Sequence, residues 1–279
     1  MTYRLDSTIP MPYGSLAEMK IYEYKYNNRM KSTEEMTNEN MDTHFREIVK
    51  NNQHKSRGVI VVMSLCRGDY RMSLIKQLNS LLKFQNGTNA LEVYGKCSET
   101  LQKIPPDYPN PDLSRTGRKK LNPGGSSKLI HEITSDYKFY ISIENSFCED
   151  YITEKVFQNA IRAGTVPIVG GLPRKFYEKF LPRKSFIHVD DFRSVEVLAD
   201  YLNMLLMDDE LYQRHFEWLD REIDSGEFVG GKLEEFHDLG FCKLCEMLNS
   251  GKNLKSEILE LDEWWYGQKR DVCFNKTIA

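Results

Sequence analysis

Residues 137–171, YKFYISIENSFCEDYITEKVFQNAIRAGTVPIVGG, bring Glu144, Asn145, Tyr151, Glu154 and Lys155 into one short segment. Carboxylates can offset positive charge that develops in a reaction, a lysine can hold an anion, and amide and phenol groups hydrogen-bond without net charge. That set suits a phosphorylated ligand, provided the residues stand where a strand gives way to a helix, the place where α/β proteins bind such ligands.

The surrounding pattern supplies the junction. Residues 139–143 are aromatic and β-branched and predict a strand, and 153–163 carry Val156, Phe157, Ala160 and Ile161 at helical spacing. Gly164 then stops the helix, and 165–169 form a second strand, giving a βαβ unit. Thr153 is the expected N-cap, with Glu154 and Lys155 in the first turn, where free amides and the helix dipole attract phosphate.

The same alternation extends along the chain: strand 58–65, helix 70–83, strand 91–94, a loop over 95–127 rich in Pro and Gly, the βαβ unit, and strand 186–189. It predicts an α/β fold with a parallel sheet and helices on both faces. Beyond residue 194 the pattern is helical: 195–206, 209–221, 233–248 and an amphipathic piece through Trp264 and Trp265. Residues 31–53 read as a polar, exposed helix.

At 279 residues, with 40% hydrophobic and 28% charged residues, the chain is long enough for one large or two modest domains. A formal charge of −3, with the basic cluster 115–120 confined to a loop, argues against nucleic acid. The most apolar run, 59–65, is far short of the roughly 20 residues a membrane helix needs, and no signal-peptide pattern precedes Tyr3. The six cysteines (Cys66, Cys97, Cys148, Cys242, Cys245 and Cys273) are compatible with free thiols or up to three bridges. Cys242 and Cys245 form a CxxC, but without a second closely spaced Cys/His pair a four-ligand zinc site is disfavoured. Sequons at Asn86 and Asn275 permit a secretory route without establishing one.

The segment resembles the signature of the α1,3/α1,4-fucosyltransferases, glycosyltransferase family 10, of the form FENS-x-x-x-DYITEK-x-x-x-NA-x-x-AG. It does so through Glu144-Asn145-Ser146, Asp150 to Lys155, Asn159-Ala160 and Ala163-Gly164, with Ile143 in place of the family phenylalanine. Residues 1–14, MTYRLDSTIPMPYG, are similar to a second family segment, with Thr8 in place of its second acidic residue. The resemblance implies a GT-B type fold: 1–57 as the C-terminal remnant of an acceptor-side N-terminal domain and linker, 58–240 as a Rossmann-like GDP-fucose-binding domain, and 241–279 as a helical segment packing back toward the N-terminal domain. It also implies that the CxxC cysteines bridge toward that N-terminal domain.

By the same resemblance, Lys155 and Arg71 contact the donor diphosphate, Glu154 faces the fucose, and Asn145, Tyr151, Tyr140, Tyr13 and Ser64 line the donor pocket. The family asparagine after that serine is Leu65 here. No Asp-x-Asp triplet occurs, so the expected chemistry is metal-free inverting transfer of fucose from GDP-fucose to an N-acetylglucosamine-containing glycan of glycoproteins, with no cofactor. The family's general base and its membrane anchor fall before residue 1. The expected natural product is therefore a Golgi type II membrane protein, and this chain is expected to bind GDP but transfer poorly. Glu144 is expected to orient the loop; His131 and His188 are base-capable by type but expected to be structural; Asp6, Glu18 and Glu23 match no base. The alternative reading is a non-catalytic nucleotide-sugar-binding paralogue.

Overall fold

The computed structural model describes residues 3–7, 9–16, 19, 43, 45–47, 49, 55–66, 69–95, 97, 125–221, 241–250 and 273. At its centre are strands β1 (Arg57–Val62), β2 (Leu91–Tyr94), β3 (Tyr137–Ile141), β4 (Val166–Val169) and β5 (Ile187–His188). They form one sheet in the order β2-β1-β3-β4-β5, and every pairing is parallel. Every residue of β3 and β4 is buried, so neither strand alternates between a buried and an exposed face; Lys138, the one charged residue in β3, is satisfied by the Leu205 carbonyl (3.1 Å) and Asp209 (2.5 Å).

Helix α1 (Asp69–Leu81) joins β1 to β2, and α2 (Gly125–Thr134) precedes β3. Helix α2 was not anticipated from the sequence, where its start lies inside the expected 95–127 loop; Pro123, Gly124 and Gly125 give its N-terminus the composition of a turn. One face of the sheet packs Val59, Val61, Phe139 and Ile141 against α1 and α5 (Val195–Met207). The other packs Ile60, Tyr137 and Tyr140 against Ile133 of α2. The Lys55 ammonium donates to the Ser135 carbonyl (2.7 Å), the Ala163 carbonyl (2.6 Å) and the Thr165 hydroxyl (3.2 Å), which ties the starts of β1, β3 and β4 together.

The helix expected over 153–163 is instead a single turn, α3 (Glu154–Phe157), followed by a separate 3₁₀ turn (Ile161–Ala163). Both Gln158 N and Asn159 N donate to the Glu154 carbonyl at 2.9 Å, so the ladder widens there and does not continue. Asn159 spends its side-chain amide on the Tyr140 hydroxyl, a tertiary bond that no helical period announces. Gly164 does end the segment in the left-handed region, at φ 60°.

The chain continues through α4 (Arg174–Tyr177), β5 and α5, whose start is capped by the Ser194 hydroxyl accepting from Val197 N. The expected helix 209–221 divides into α6 (Asp209–Gln213), a 3₁₀ turn (Arg214–Phe216) and α7 (Trp218–Arg221). Of the helix expected over 233–248, α8 (Phe241–Asn249) is described; 233–240, Trp264 and Trp265 lie outside the described residues. The 31–53 segment is not simply an exposed helix: Phe45 and Val49, one turn apart, are fully buried in the main core with Leu16 and Met19.

Disulfides join Cys66 to Cys97 and Cys148 to Cys273. Cys245 is exposed and has no disulfide partner, which overturns the expectation that it bridges back; the side chain of Cys242 lies outside the described residues. Among the described residues, no helix is long and apolar enough to cross a membrane.

Candidate functional site

In a sheet of order 2-1-3-4-5 the chain turns one way after β1 and the other way after β3, so a crevice opens at the C-terminal ends of these neighbouring strands. Most of the residues singled out from the sequence converge there; Tyr140 does not. Arg71, in the first turn of α1, is buried, with 4% exposure. Its guanidinium donates through one terminal nitrogen to the Asn145 side-chain oxygen and through the other to the Leu65 carbonyl at 2.5 Å. Nε is buried without a partner among the described residues. Burial pulls its pKa below the ordinary arginine value, and Glu144 and Tyr140 oppose that shift.

Beyond β3 the chain passes Ser142, whose hydroxyl donates to the Lys155 carbonyl (3.0 Å) and so anchors α3 to the strand end. Glu144 follows, 1% exposed. Its carboxylate accepts from Thr153 N (2.8 Å), the Thr153 hydroxyl (2.8 Å) and the Lys155 ammonium (2.8 Å). Thr153 does occupy the N-cap position, with extended φ and ψ, but its hydroxyl serves Glu144 rather than the helix amides. An α-helix of four residues also has little dipole to offer. The positive character of the site therefore rests on the two side-chain cations, which corrects the helix-dipole expectation.

Burial alone would lower the Lys155 pKa; Glu144 and Glu154 outweigh it, and the ammonium is held above its ordinary value. For Glu144 burial wins, raising the carboxyl against the pull of Lys155 and Thr153. We regard the pair as ionised, because three donors converge on one carboxylate. Glu154 stands 3.5 Å from the Lys155 ammonium with a side chain 47% exposed.

Tyr151 is half-buried, and its ring meets Tyr13 edge-on at 5.5 Å and Tyr3 at 5.1 Å. Burial, with Glu144 next, pushes the Tyr151 phenol up to about 12, so it stays protonated and can donate. Tyr13 is 46% exposed, and Ser64 is exposed just past β1. Tyr140 differs from the other candidates: it is 1% exposed within the second core face, and its hydroxyl accepts from Asn159 at 3.1 Å. The ring is part of the core and not of a pocket wall. His188 is buried, with Nε2 2.8 Å from the Leu172 carbonyl and Nδ1 accepting from Asp190 N; His131 lies 3.3 Å from the Arg162 carbonyl. Asp6 is paired with Arg4.

Sequence reasoning missed two contributors and one role. Glu144, expected to orient the loop, does so through Thr153 and is in addition the counter-ion of Lys155. Asp150 adopts φ 59° and accepts from Leu5 N (3.1 Å) and Lys179 (2.9 Å), docking the N-terminal segment beside the loop. The Cys66–Cys97 bond staples the loop after β1, and with it the Leu65 carbonyl that orients Arg71, to the loop after β2. Among the described residues, no group of three His, Cys, Asp or Glu could hold a metal ion.

The fold and site together define an α/β protein with a parallel sheet wound to both sides of a switch point and two cationic side chains at that point. The sequence model of glycosyltransferase family 10 (fucosyltransferase), C-terminal part, matches residues 52–264, and the chain belongs to that family. It is 31% identical over 278 residues to glycoprotein 3-alpha-L-fucosyltransferase A of Drosophila melanogaster, covering 99% of this chain and 44% of that protein. It is 38% identical over 154 residues to alpha-(1,3)-fucosyltransferase fut-1 of Caenorhabditis elegans (53% and 33% covered). Over 105 residues it is 49% identical to human alpha-(1,3)-fucosyltransferase 7 (38% and 30% covered). The chain thus spans less than half the length of these relatives.

Proposed function

We propose that this chain is the donor-binding part of an inverting fucosyltransferase, holding GDP-fucose at the C-terminal ends of β1 and β3. The observation that carries the reading is the buried Arg71 guanidinium, fixed by Asn145 and Leu65 with Nε unpartnered among the described residues, and the Lys155 ammonium, both of which feel the charge of Glu144. A buried cation without a carboxylate in direct contact is costly unless an anion completes it, and a diphosphate supplies that anion.

In this reading Arg71 and Lys155 take up the charge that collects on the departing diphosphate as the fucose C1–O bond loosens. Glu154, exposed beside Lys155, faces the sugar and offsets the positive charge at its ring. Asn145 and Ser64 hydrogen-bond the donor, and Tyr151 with Tyr13 walls the pocket. The acceptor is an N-acetylglucosamine-containing glycan of a glycoprotein, joined in α1,3 linkage, a reading supported by relatives named for 3-alpha-fucosyl transfer to glycoproteins and to N-acetylglucosaminides; the setting in this reading is the Golgi lumen. Proton abstraction from the acceptor hydroxyl is assigned to no residue of this chain.

Calorimetry tests the reading. GDP and GDP-fucose should bind, UDP-sugars should not, and Lys155→Ala should weaken GDP by about 1.5–3 kcal/mol, roughly 10- to 150-fold. Equal affinity for GDP- and UDP-sugars, or a Lys155→Ala chain that binds as well as the parent, would remove the basis for it. Transfer of labelled fucose to a glycan, compared between this chain and an N-terminally extended form, then separates donor binding from catalysis.

A further inference from the structure

We propose that Asn86 is a site of N-linked glycosylation. The side-chain amide would accept an oligosaccharide at the end of the molecule opposite the donor site. Asn86-Gly87-Thr88 is a sequon whose middle residue is not proline. It forms the turn between α1 and β2, where the strands begin, whereas Arg71 and Lys155 stand where β1 and β3 end.

Four features of the turn fit that chemistry. Asn86, Gly87 and Thr88 are all exposed, and a Cβ built on Gly87 would meet nothing within 4 Å, so bulk can approach. Gly87 adopts φ 78° and its N–H donates to the Phe84 carbonyl at 2.8 Å, which turns the chain outward. The Asn86 side-chain oxygen accepts from Thr88 N (3.0 Å) and from the Thr88 hydroxyl (2.6 Å). Two donors on that oxygen draw electron density from the carboxamide and make its N–H more acidic, while Nδ2 of the exposed side chain donates to none of the described residues. Both bonds span two residues, so a nascent chain can form them before the sheet assembles.

A second, independent observation sets the compartment. Two disulfides, one of them joining cysteines 125 positions apart, belong to a protein that folds in an oxidising lumen, where N-glycosylation takes place. In the transfer, the co-substrate is an oligosaccharide carried on a lipid diphosphate. The bond from Asn86 Nδ2 to C1 of its first sugar forms, the C1–O bond to the diphosphate breaks, one amide proton is released, and the lipid diphosphate leaves. No oxidant or reductant is involved.

The test expresses the chain behind a cleavable secretory leader in animal cells and maps intact glycopeptides by mass spectrometry. The peptide containing Asn86 should carry a glycan in the parent and in Thr88→Ser, which keeps the hydroxyl. Asn86→Gln and Thr88→Ala should lose it and migrate faster by one glycan, with GDP affinity unchanged. A parent protein recovered with the Cys66–Cys97 bridge formed but with Asn86 bare would overturn the proposal. So would a Thr88→Ala chain that remains modified at Asn86. Neither result depends on donor binding, so this proposal and the functional one fail separately.

Discussion

Replacing Glu144 should damage the protein before any substrate is involved. Its carboxylate is 1% exposed and neutralises the Lys155 ammonium, whose side chain is 13% exposed, while also receiving the Thr153 N–H and hydroxyl. Glu144→Ala removes all of this at once and leaves a nearly buried cation and an orphaned backbone donor. Breaking a buried pair from one side costs about 3–5 kcal/mol. Glu144→Gln keeps the shape and one acceptor oxygen but loses the charge, which sets its cost nearer the ~1.5–3 kcal/mol of a hydrogen bond to a charged group. The assay is urea unfolding at neutral pH, with the slope checked so that only the midpoint moves. A second change separates pair from site: Lys155→Met in the Glu144→Gln background should recover part of the lost stability, because the uncompensated ammonium is gone. If Glu144→Ala costs less than about 1 kcal/mol, or if the double variant is merely the sum of the two singles, the carboxylate is not the counter-ion described.

Tyr140→Phe should cost about 1 kcal/mol in unfolding, through the lost bond from Asn159, and leave GDP affinity unchanged; a large rise in Kd would restore Tyr140 to the pocket wall. Burial lowers the His215 pKa below its ordinary 6.5, so the native state excludes a proton that the unfolded chain takes up. The stabilisation is present above pH 6.5 and declines as pH falls below it; His215→Phe should flatten that acid slope, and identical slopes by thermal unfolding would contradict the assignment. A Cβ at Gly14 would stand 2.8 Å from the Phe157 ring, so Gly14→Ala should destabilise by about 1–3 kcal/mol; a neutral result would mean that the N-terminal segment does not press on the turn carrying Lys155.

Much of this was legible in the residues. Strand 91–94 and helix α5 follow from short-range signals: apolar Leu91, Val93 and Tyr94 around one polar residue for the strand, and a serine cap ahead of a helical period for the helix. The sheet's parallel character follows from alternation, because successive parallel strands need a crossover between them. The location of the site was legible for the same reason, since a polar cluster after a buried strand has only the strand end to occupy. The helix over 153–163 misled because its apolar spacing is real, yet the Asn159 to Tyr140 bond competes with continuing the helix.

The sequence alone determined the family and the α/β order of elements, because each is carried by residue types at fixed short spacing, and it named Lys155 and Arg71 as the candidate cations. Tertiary structure decided which groups those cations meet. Arg71 reaches Asn145 across 74 positions, Lys155 is matched by Glu144 rather than by a helix dipole, and Cys148 pairs with Cys273 across 125 positions. Charge pairing, burial and disulfide bonding depend on distances in space, and those distances exist only once the strands have stacked in the order 2-1-3-4-5.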